Sequence, residues 1–365
     1  MIGLSIYPER STFEEDKAYL DLAHKYGFKR IFTSLLQING DKDEVMAGFK
    51  KIIDYANSLG MEVMIDIAPH LFKQLDISYD DLSFFHEMGA FGIRLDIGFT
   101  GAEEARMTRN PYGLKIEINM SAGTKYVDQI MAYSPNTNNL LGSHNFYPME
   151  YSGLDYDFFV DCSNQFRDFN IRTSCFVNAP SATFGPWPTA DGLCTLEIHR
   201  NLPISTQIKH LQLTGLMDDI LIGNAYASEE DLKAMSEAYY APHPAVTIDV
   251  KESVTDVEKK VLFGQVHSYR GDRSSYILRS TMTRITYANE DFPAHDTVSI
   301  KRGDVLIPNK EFGHYNGEMQ IALKDMENSG RINVVGRVAA HEMLLLEFLR
   351  PWSTFELSDS KVLGQ

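Results

Sequence analysis

The chain has 365 residues, 44% of them hydrophobic, with a mean hydropathy of −0.24. That is long for one ordinary domain and about right for a barrel of roughly 250 residues with a smaller module attached. The formal net charge of −16 excludes DNA, RNA and anionic membrane as bulk partners, because phosphate surfaces need a cationic counterpart.

A small phosphorylated ligand stays admissible, since a few Arg and backbone N–H groups suffice to hold it. Cys162, Cys175 and Cys194 show no CxxC spacing and no close His, and read as reduced thiols of a cytoplasmic protein. The opening MIGLSIYPER carries no basic leader. Its apolar run is far shorter than the roughly 20 residues a membrane span requires.

Taken in order, residues 2–7 read as a first strand, and Ser11–Thr12 N-cap a helix that runs to about Tyr26. Strand two covers 29–35 and helix two 43–59, stopped by Gly60. Strand three covers 62–67, helix three 79–88, and strand four 92–97, with a short helix from Thr100. Strand five (114–119) precedes a helix at 126–133, strand six (140–146) a helix at 155–169, and strand seven spans 172–177. Two runs compete for strand eight, 193–200 and 219–226. The second is chosen, over 220–224, because the N-capped helical run SEEDLKAMSEAY follows it. Helix seven is then 204–213, and 179–203 forms a long loop over the mouth. The expectation is a (β/α)8 TIM barrel over 1–240. Past Pro242 and Pro244 come AVTIDV, KKVLFGQVHSYR, SYILRST, DTVSI, DVLIP, EMQIAL, RINVVGRV and LLLEFLRP, read as a smaller β-rich domain over 241–365, a compact antiparallel barrel or sandwich.

Barrel strands deliver their last inward side chains to one shared pocket. MIDIAP supplies Asp66, IRLDIG supplies Arg94 and Asp96, and KIEINMS supplies Glu117 and Asn119. HNFYP adds Asn145 and Tyr147, Asn178 follows strand seven, and Asn224 ends strand eight. Inward acids on adjacent strands, about 4.8 Å apart, can bring two carboxylates to the spacing of a glycosidase acid and nucleophile. Asp96 and Glu117 are the first candidate pair, with Asp66 and Glu197 behind them. The competing reading is an Arg94–Asp96 ion pair bracing the barrel, with Glu117 bonded to neighbouring Asn or Tyr.

In the long loop, Glu197, His199 and Arg200 can close over a substrate, as acid and anion contact, or form a loop-to-barrel salt bridge. Trp187 is a sugar-stacking candidate or a loop anchor, and His144 reads as structural. In LRSTMTR, Arg279 and Arg284 beside hydroxyls suit a phosphate, or else protect a strand edge. GxxxxGK[ST], GxGxxG after a strand, HExxH and GxSxG are all missing. Elimination leaves carboxylate chemistry on a polar substrate, with no metal and no organic cofactor.

SIYPE, IRLDIG, HNFYP, GLCTLEIHR (192–200), LRSTMTR and HYNGEMQI, in this order, resemble the 6-phospho-N-acetylmuramidase family over the whole chain. The resemblance implies a cytoplasmic bacterial glycosidase on a TIM barrel followed by a cyclophilin-like β domain. Its substrate would be a small phosphorylated amino-sugar disaccharide, 6-phospho-N-acetylmuramyl-N-acetylglucosamine, split to N-acetylmuramic acid 6-phosphate and N-acetylglucosamine in cell-wall recycling. Cys194 departs from the family pattern, where proline is expected. A homodimer is left open. Two other readings stand beside this one. One is a phosphosugar isomerase or aldolase with Lys115 as Schiff base; the other is a non-enzymatic sugar-binding protein.

Overall fold

The computed structural model describes residues 1–35, 42–74, 77–186 and 191–363. Two compact units divide the chain, Met1–Tyr239 and Tyr240–Gln365.

The first unit is a closed parallel barrel of eight strands in sequence order. They are β1 (Ile2–Ser5), β2 (Arg30–Ser34), β3 (Glu62–Ile67), β4 (Gly92–Leu95), β5 (Lys115–Asn119), β6 (Leu140–Ser143), β7 (Arg172–Val177) and β8 (Asp219–Ile222). Nearly every strand residue is buried, as expected where helices cover one face and the barrel interior the other. Around them lie α1 (Phe13–Lys25), α2 (Lys42–Ser58), α3 (Pro69–Gln74), α4 (Ser83–Glu87), α5 (Ala102–Met107), α6 (Tyr126–Ala132), α7 (Tyr156–Arg167), α8 (Ile204–Thr214) and α9 (Glu229–Tyr240). Local chemistry sets the helix starts. Thr12 and Glu15 form a capping box on α1, and Asp155 accepts from two backbone N–H groups of α7. The helix expected over 79–88 is only one turn, Ser83–Glu87, and α3 was not foreseen. Its start is marked by Pro69, a residue suited to the first helical position.

Two glycines let neighbouring strands close. A Cβ on Gly3 would sit 2.3 Å from the Arg30 carbonyl, and one on Gly92 would sit 2.4 Å from that of Lys115. The register then pairs Ser34 with Asp66, Asp66 with Arg94, and Arg94 with Glu117. Four consecutive strands therefore contribute to one interior layer.

The second unit contains β9 (Ala245–Val250), β10 (His267–Ser268), β11 (Ile277–Ser280), β12 (Asp304–Pro308), β13 (Met319–Ala322), β14 (Ile332–Val338) and β15 (Thr354–Asp359). Their order is β10-β15-β9-β14-β12-β13-β11, antiparallel except for β15 beside β9. The sheet is nearly closed, for Arg270 N–H beyond β10 donates to Arg279 O on β11 at 2.9 Å. Three expected runs depart from their form, and one strand appears that was not expected. DTVSI (296–300) forms no strand, pairing only through the single bridge of Ile300 to Met326. KKVLF belongs to a helix, α10 (Asp256–Phe263), started by a Thr255–Glu258 capping box. LLLE lies in 3-10 turns over Ala340–Glu347, and the strand at Thr354–Asp359 was not anticipated. Two shorter helices, α11 (Met282–Thr286) and α12 (Ser360–Leu363), complete the unit. Among the described residues, no helix is long and apolar enough to cross a membrane.

Candidate active site

Toward the carboxyl ends of β2, β3, β4, β6 and β7 the barrel opens into a cavity of about 210 Å³. Its polar lining is Asp66, Arg94, Asp96 and Asn145; its apolar lining is Phe32, Phe146 and Phe176. Arg94 organises the polar half. Its Nη1 donates to Asp66 Oδ1 at 2.7 Å and faces Asp96 Oδ1 at 3.4 Å, while Nη2 donates to Asn145 Oδ1. Two oxygens touching one nitrogen at these distances lie no further apart than their sum, about 6 Å. The expected ion pair of Arg94 with Asp96 is present, yet the tighter bond goes to Asp66.

The two acids differ in environment. The Asp66 side chain is 6% exposed and that of Asp96 35%. Burial pushes the Asp66 carboxyl up to about 6, overcoming the downward pull of Arg94 and reinforced by the negative charges of Asp96 and Glu117. Asp96 lies just past β4, held by its backbone: its N–H donates to Ile67 O at 3.3 Å, and its carbonyl accepts from Asn119 Nδ2 at 3.2 Å. Asn119 thus aims Asp96 rather than facing the cavity lining. Tyr147 is half-buried; burial raises its phenol, and Arg94 and Asp96 are among the charges it senses.

Glu117 shares the Arg94 layer but is drawn the other way. Its carboxylate accepts from Arg30 Nη2, and Arg30 Nη1 donates to Asp219. Arg172 Nε meets Asp219 Oδ2 at 2.7 Å, and Arg172 Nη2 meets Glu62 at 3.1 Å. Glu117, Arg30 and Asp219 are all buried. Glu117 is therefore one rung of an alternating charge ladder inside the barrel, and Asp96 shares its arginine with Asp66 instead.

The long-loop residues are gathered into a clamp. Glu197 receives Arg200 Nε at 2.7 Å and Nη2 at 2.6 Å, plus the N–H groups of Tyr151 (3.0 Å) and Gly153 (2.7 Å). Arg200 pulls its carboxyl down to about 2, which leaves no proton to give at neutral pH. Arg200 Nη1 also donates to the carbonyls of Tyr147 (3.1 Å) and Asp191 (2.9 Å). His199 is buried with Nε2 2.7 Å from His210 Nδ1, and burial drives its pKa well down. Asn178 bonds Leu193 N–H and Arg200 O, and Asn224 bonds the backbone of Ala179 and Ala182, so both pin the loop. His144 is structural as expected, buried between Ser121 and Ser163. Trp187 lies outside the described residues.

In the second unit, Arg279 makes a two-point bond to the buried Glu318 (2.6 and 3.1 Å), and Arg284 Nε stands 3.7 Å from the same carboxylate. Both guanidinium groups pack over the Tyr315 ring, at 5.4 and 5.1 Å from its centre. Two cations share one anion here.

Sequence reasoning passed over the three phenyl rings. Phe32, Phe146 and Phe176 pack edge-to-face with centroids 5.1–6.0 Å apart. They form the apolar wall of the cavity that holds Asp66. Phe32 lies mid-way along β2, Phe176 next to the end of β7 and Phe146 three residues past β6, and an aromatic in or beside a strand reads first as core. Among the described residues, no group of three His, Cys, Asp or Glu is placed to hold a metal ion.

Comparison with known proteins adds the following. A family model described as 6-phospho-N-acetylmuramidase, N-terminal, matches residues 2–237, and its C-terminal counterpart matches residues 244–358. An uncharacterized B. cereus protein of known structure is 46% identical with a TM-score of 0.90, the match covering 98% of this chain and 99% of that one. A conserved Enterococcus faecalis protein of unknown function is 24% identical with a TM-score of 0.76, over 100% and 97% of the two chains, a similarity of fold alone. No curated protein matches.

Proposed function

The chain belongs to the 6-phospho-N-acetylmuramidase family of glycosidases, and from that premise we propose that Asp66 and Asp96 are its working carboxylates. The bond cleaved joins 6-phospho-N-acetylmuramic acid to N-acetylglucosamine, in the cytoplasm, as a step of cell-wall recycling. One observation carries the assignment: two carboxylates of unequal burial share Arg94 in a cavity at the barrel mouth, and the more buried one is pushed up to about 6.

A carboxyl with that pKa retains a usable protonated fraction near neutrality, as a general acid requires. Asp66 gives its proton to the glycosidic oxygen as the bond to the leaving N-acetylglucosamine breaks. Asp96, more open to solvent, faces the developing oxocarbenium centre as nucleophile or stabilising charge. A separation of at most about 6 Å suits the retaining geometry, with carboxyls about 5–5.5 Å apart, better than the wider inverting one. Arg94 keeps the two carboxyl groups compatible, and Asn145 and Tyr147 supply hydrogen bonds to sugar substituents. We keep the cyclophilin-like description of the second unit as a proposal of the same standing.

The test is product analysis with the phosphorylated and unphosphorylated disaccharides side by side, with proton NMR of the first anomer formed. The phosphorylated sugar should be preferred by on the order of 100-fold, from charge-assisted contacts of about 1.5–3 kcal/mol each. Equal kcat/KM for both would refute the phosphosugar reading, and an inverted product would refute the Asp66–Asp96 geometry.

A further inference from the structure

Trp352 in the second unit is held in a way that its packing does not require. It is 77% exposed, and its backbone φ is 72°, a left-handed conformation that bulky residues rarely adopt. Its N–H is anchored to Tyr269 O at 2.8 Å. One side of the indole is closed by Gly271: a Cβ there would lie 2.3, 2.4 and 2.6 Å from Cζ2, Cε2 and Nε1, so only glycine lets backbone back onto the ring. The rest of the ring is open. A bulky aromatic kept in a costly backbone conformation with an open face signals a built surface rather than a packing remnant.

Around the indole is a depression of about 460 Å³, within the range of small-molecule sites. Its apolar wall is Trp352 and Met282; its polar rim is Ser268, Arg270, Asp272 and Thr281. Arg270 Nε donates to Asp272 Oδ1, and Arg270 Nη1 stands 3.5 Å from Thr281 Oγ1. The two charges cancel, so the rim offers directional donors and acceptors without net charge. That composition disfavours a phosphate or nucleic acid as the recognised group. It matches an uncharged pyranose, whose C–H face stacks on an indole while its edge hydroxyls or acetamido group meet paired planar side chains. We propose that Trp352, Gly271, Arg270 and Asp272 form a binding platform for an N-acetylhexosamine ring. It extends the assigned activity with a sugar contact on the second unit, and it does not depend on which carboxylates do the chemistry.

The chain has only two tryptophans, Trp187 and Trp352, so Trp187→Phe leaves Trp352 as sole reporter in the full-length protein. Titration with N,N′-diacetylchitobiose, which carries no phosphate, should shift Trp352 emission to shorter wavelength and saturate. Gly271→Ala, which displaces the ring, and Arg270→Ala, which removes the edge donors, should each weaken that response at least tenfold with unchanged circular dichroism. An emission spectrum indifferent to the disaccharide overturns the proposal. So does a concentration-dependent doubling of mass that Trp352→Ala abolishes, because the indole would then belong to an interface with a second copy.

Discussion

Replacing Asp66 with Asn separates two properties of one carboxyl, its proton and its burial. The amide keeps the shape and an acceptor for Arg94 Nη1, now 2.7 Å away, but it never ionises. Burial raises the parent carboxyl from its ordinary 3.8 to about 6. At about 1.36 kcal/mol per unit, the folded state prefers the protonated form by roughly 3 kcal/mol. Between about pH 4 and pH 6 the folded protein keeps a proton that the unfolded chain has released. The stabilising effect of that proton is complete below the lower value and is lost as pH rises through the upper one. Other titrating groups cancel in the difference between variant and parent. The variant should therefore match the parent near pH 4 and exceed it by up to about 3 kcal/mol by pH 7.5. Urea unfolding followed by circular dichroism at half-unit pH steps measures this. Turnover of the phosphorylated disaccharide should fall by about 10²–10⁴, the usual worth of a positioned general acid. Much of the loss should return with a nitrophenyl leaving group that needs no proton. A stability difference that is flat with pH, or parental turnover in the variant, refutes the reasoning.

Glu117→Gln should cost about 3–5 kcal/mol, because it removes one partner of the buried Arg30, yet keep kcat within about tenfold of the parent; chemical denaturation and steady-state kinetics check both. Glu197 has its carboxyl held down by Arg200, so its stabilising effect is present above its ordinary 4.5 and lost as pH falls towards about 2. Glu197→Gln should lower Tm at pH 7, with the deficit fading in scans toward pH 2 and the pH profile of kcat unmoved. Arg279→Ala leaves the buried Glu318 without its two-point partner and should lower Tm. Arg284→Ala removes only the more distant of the two guanidinium groups at Glu318 and should lower Tm by less than Arg279→Ala does.

The inward face of β3 and β4 was legible because strand alternation is local: MIDIAP and IRLDIG point Asp66 and Arg94 inward from their own spacing. What Glu117 would bond was not legible, since Arg30 lies 87 residues away and opens a strand that reads as plain core. The choice between Asp66 and Glu117 as partner to Asp96 turned on that contact. The Glu197–Arg200 clamp left a trace that was underweighted: oppositely charged residues three apart on a helical turn face each other. In the second unit, Thr255 followed three residues later by Glu258 announces a helix start, yet the apolar run Val261–Phe263 behind it was read as a strand. For 344–347, helical and extended readings of a short leucine run are indistinguishable by period alone.

The charge ladder of Arg30, Glu117, Asp219, Arg172 and Glu62 constrains how this barrel can change over generations. Each rung comes from a different strand, and removing one of the buried rungs, Arg30, Glu117 or Asp219, leaves unbalanced charge in the interior, a loss of several kcal/mol for a fold with a margin of only about 5–15 kcal/mol. Exchanging the whole set for apolar side chains of similar volume is another matter, often neutral or favourable. The two end states are thus both habitable, while single steps through the buried rungs each consume a large share of the margin. Descendants of this sequence should keep the ladder intact or lack it altogether, and a designer who wants a sturdier scaffold must rewrite five strands in one move.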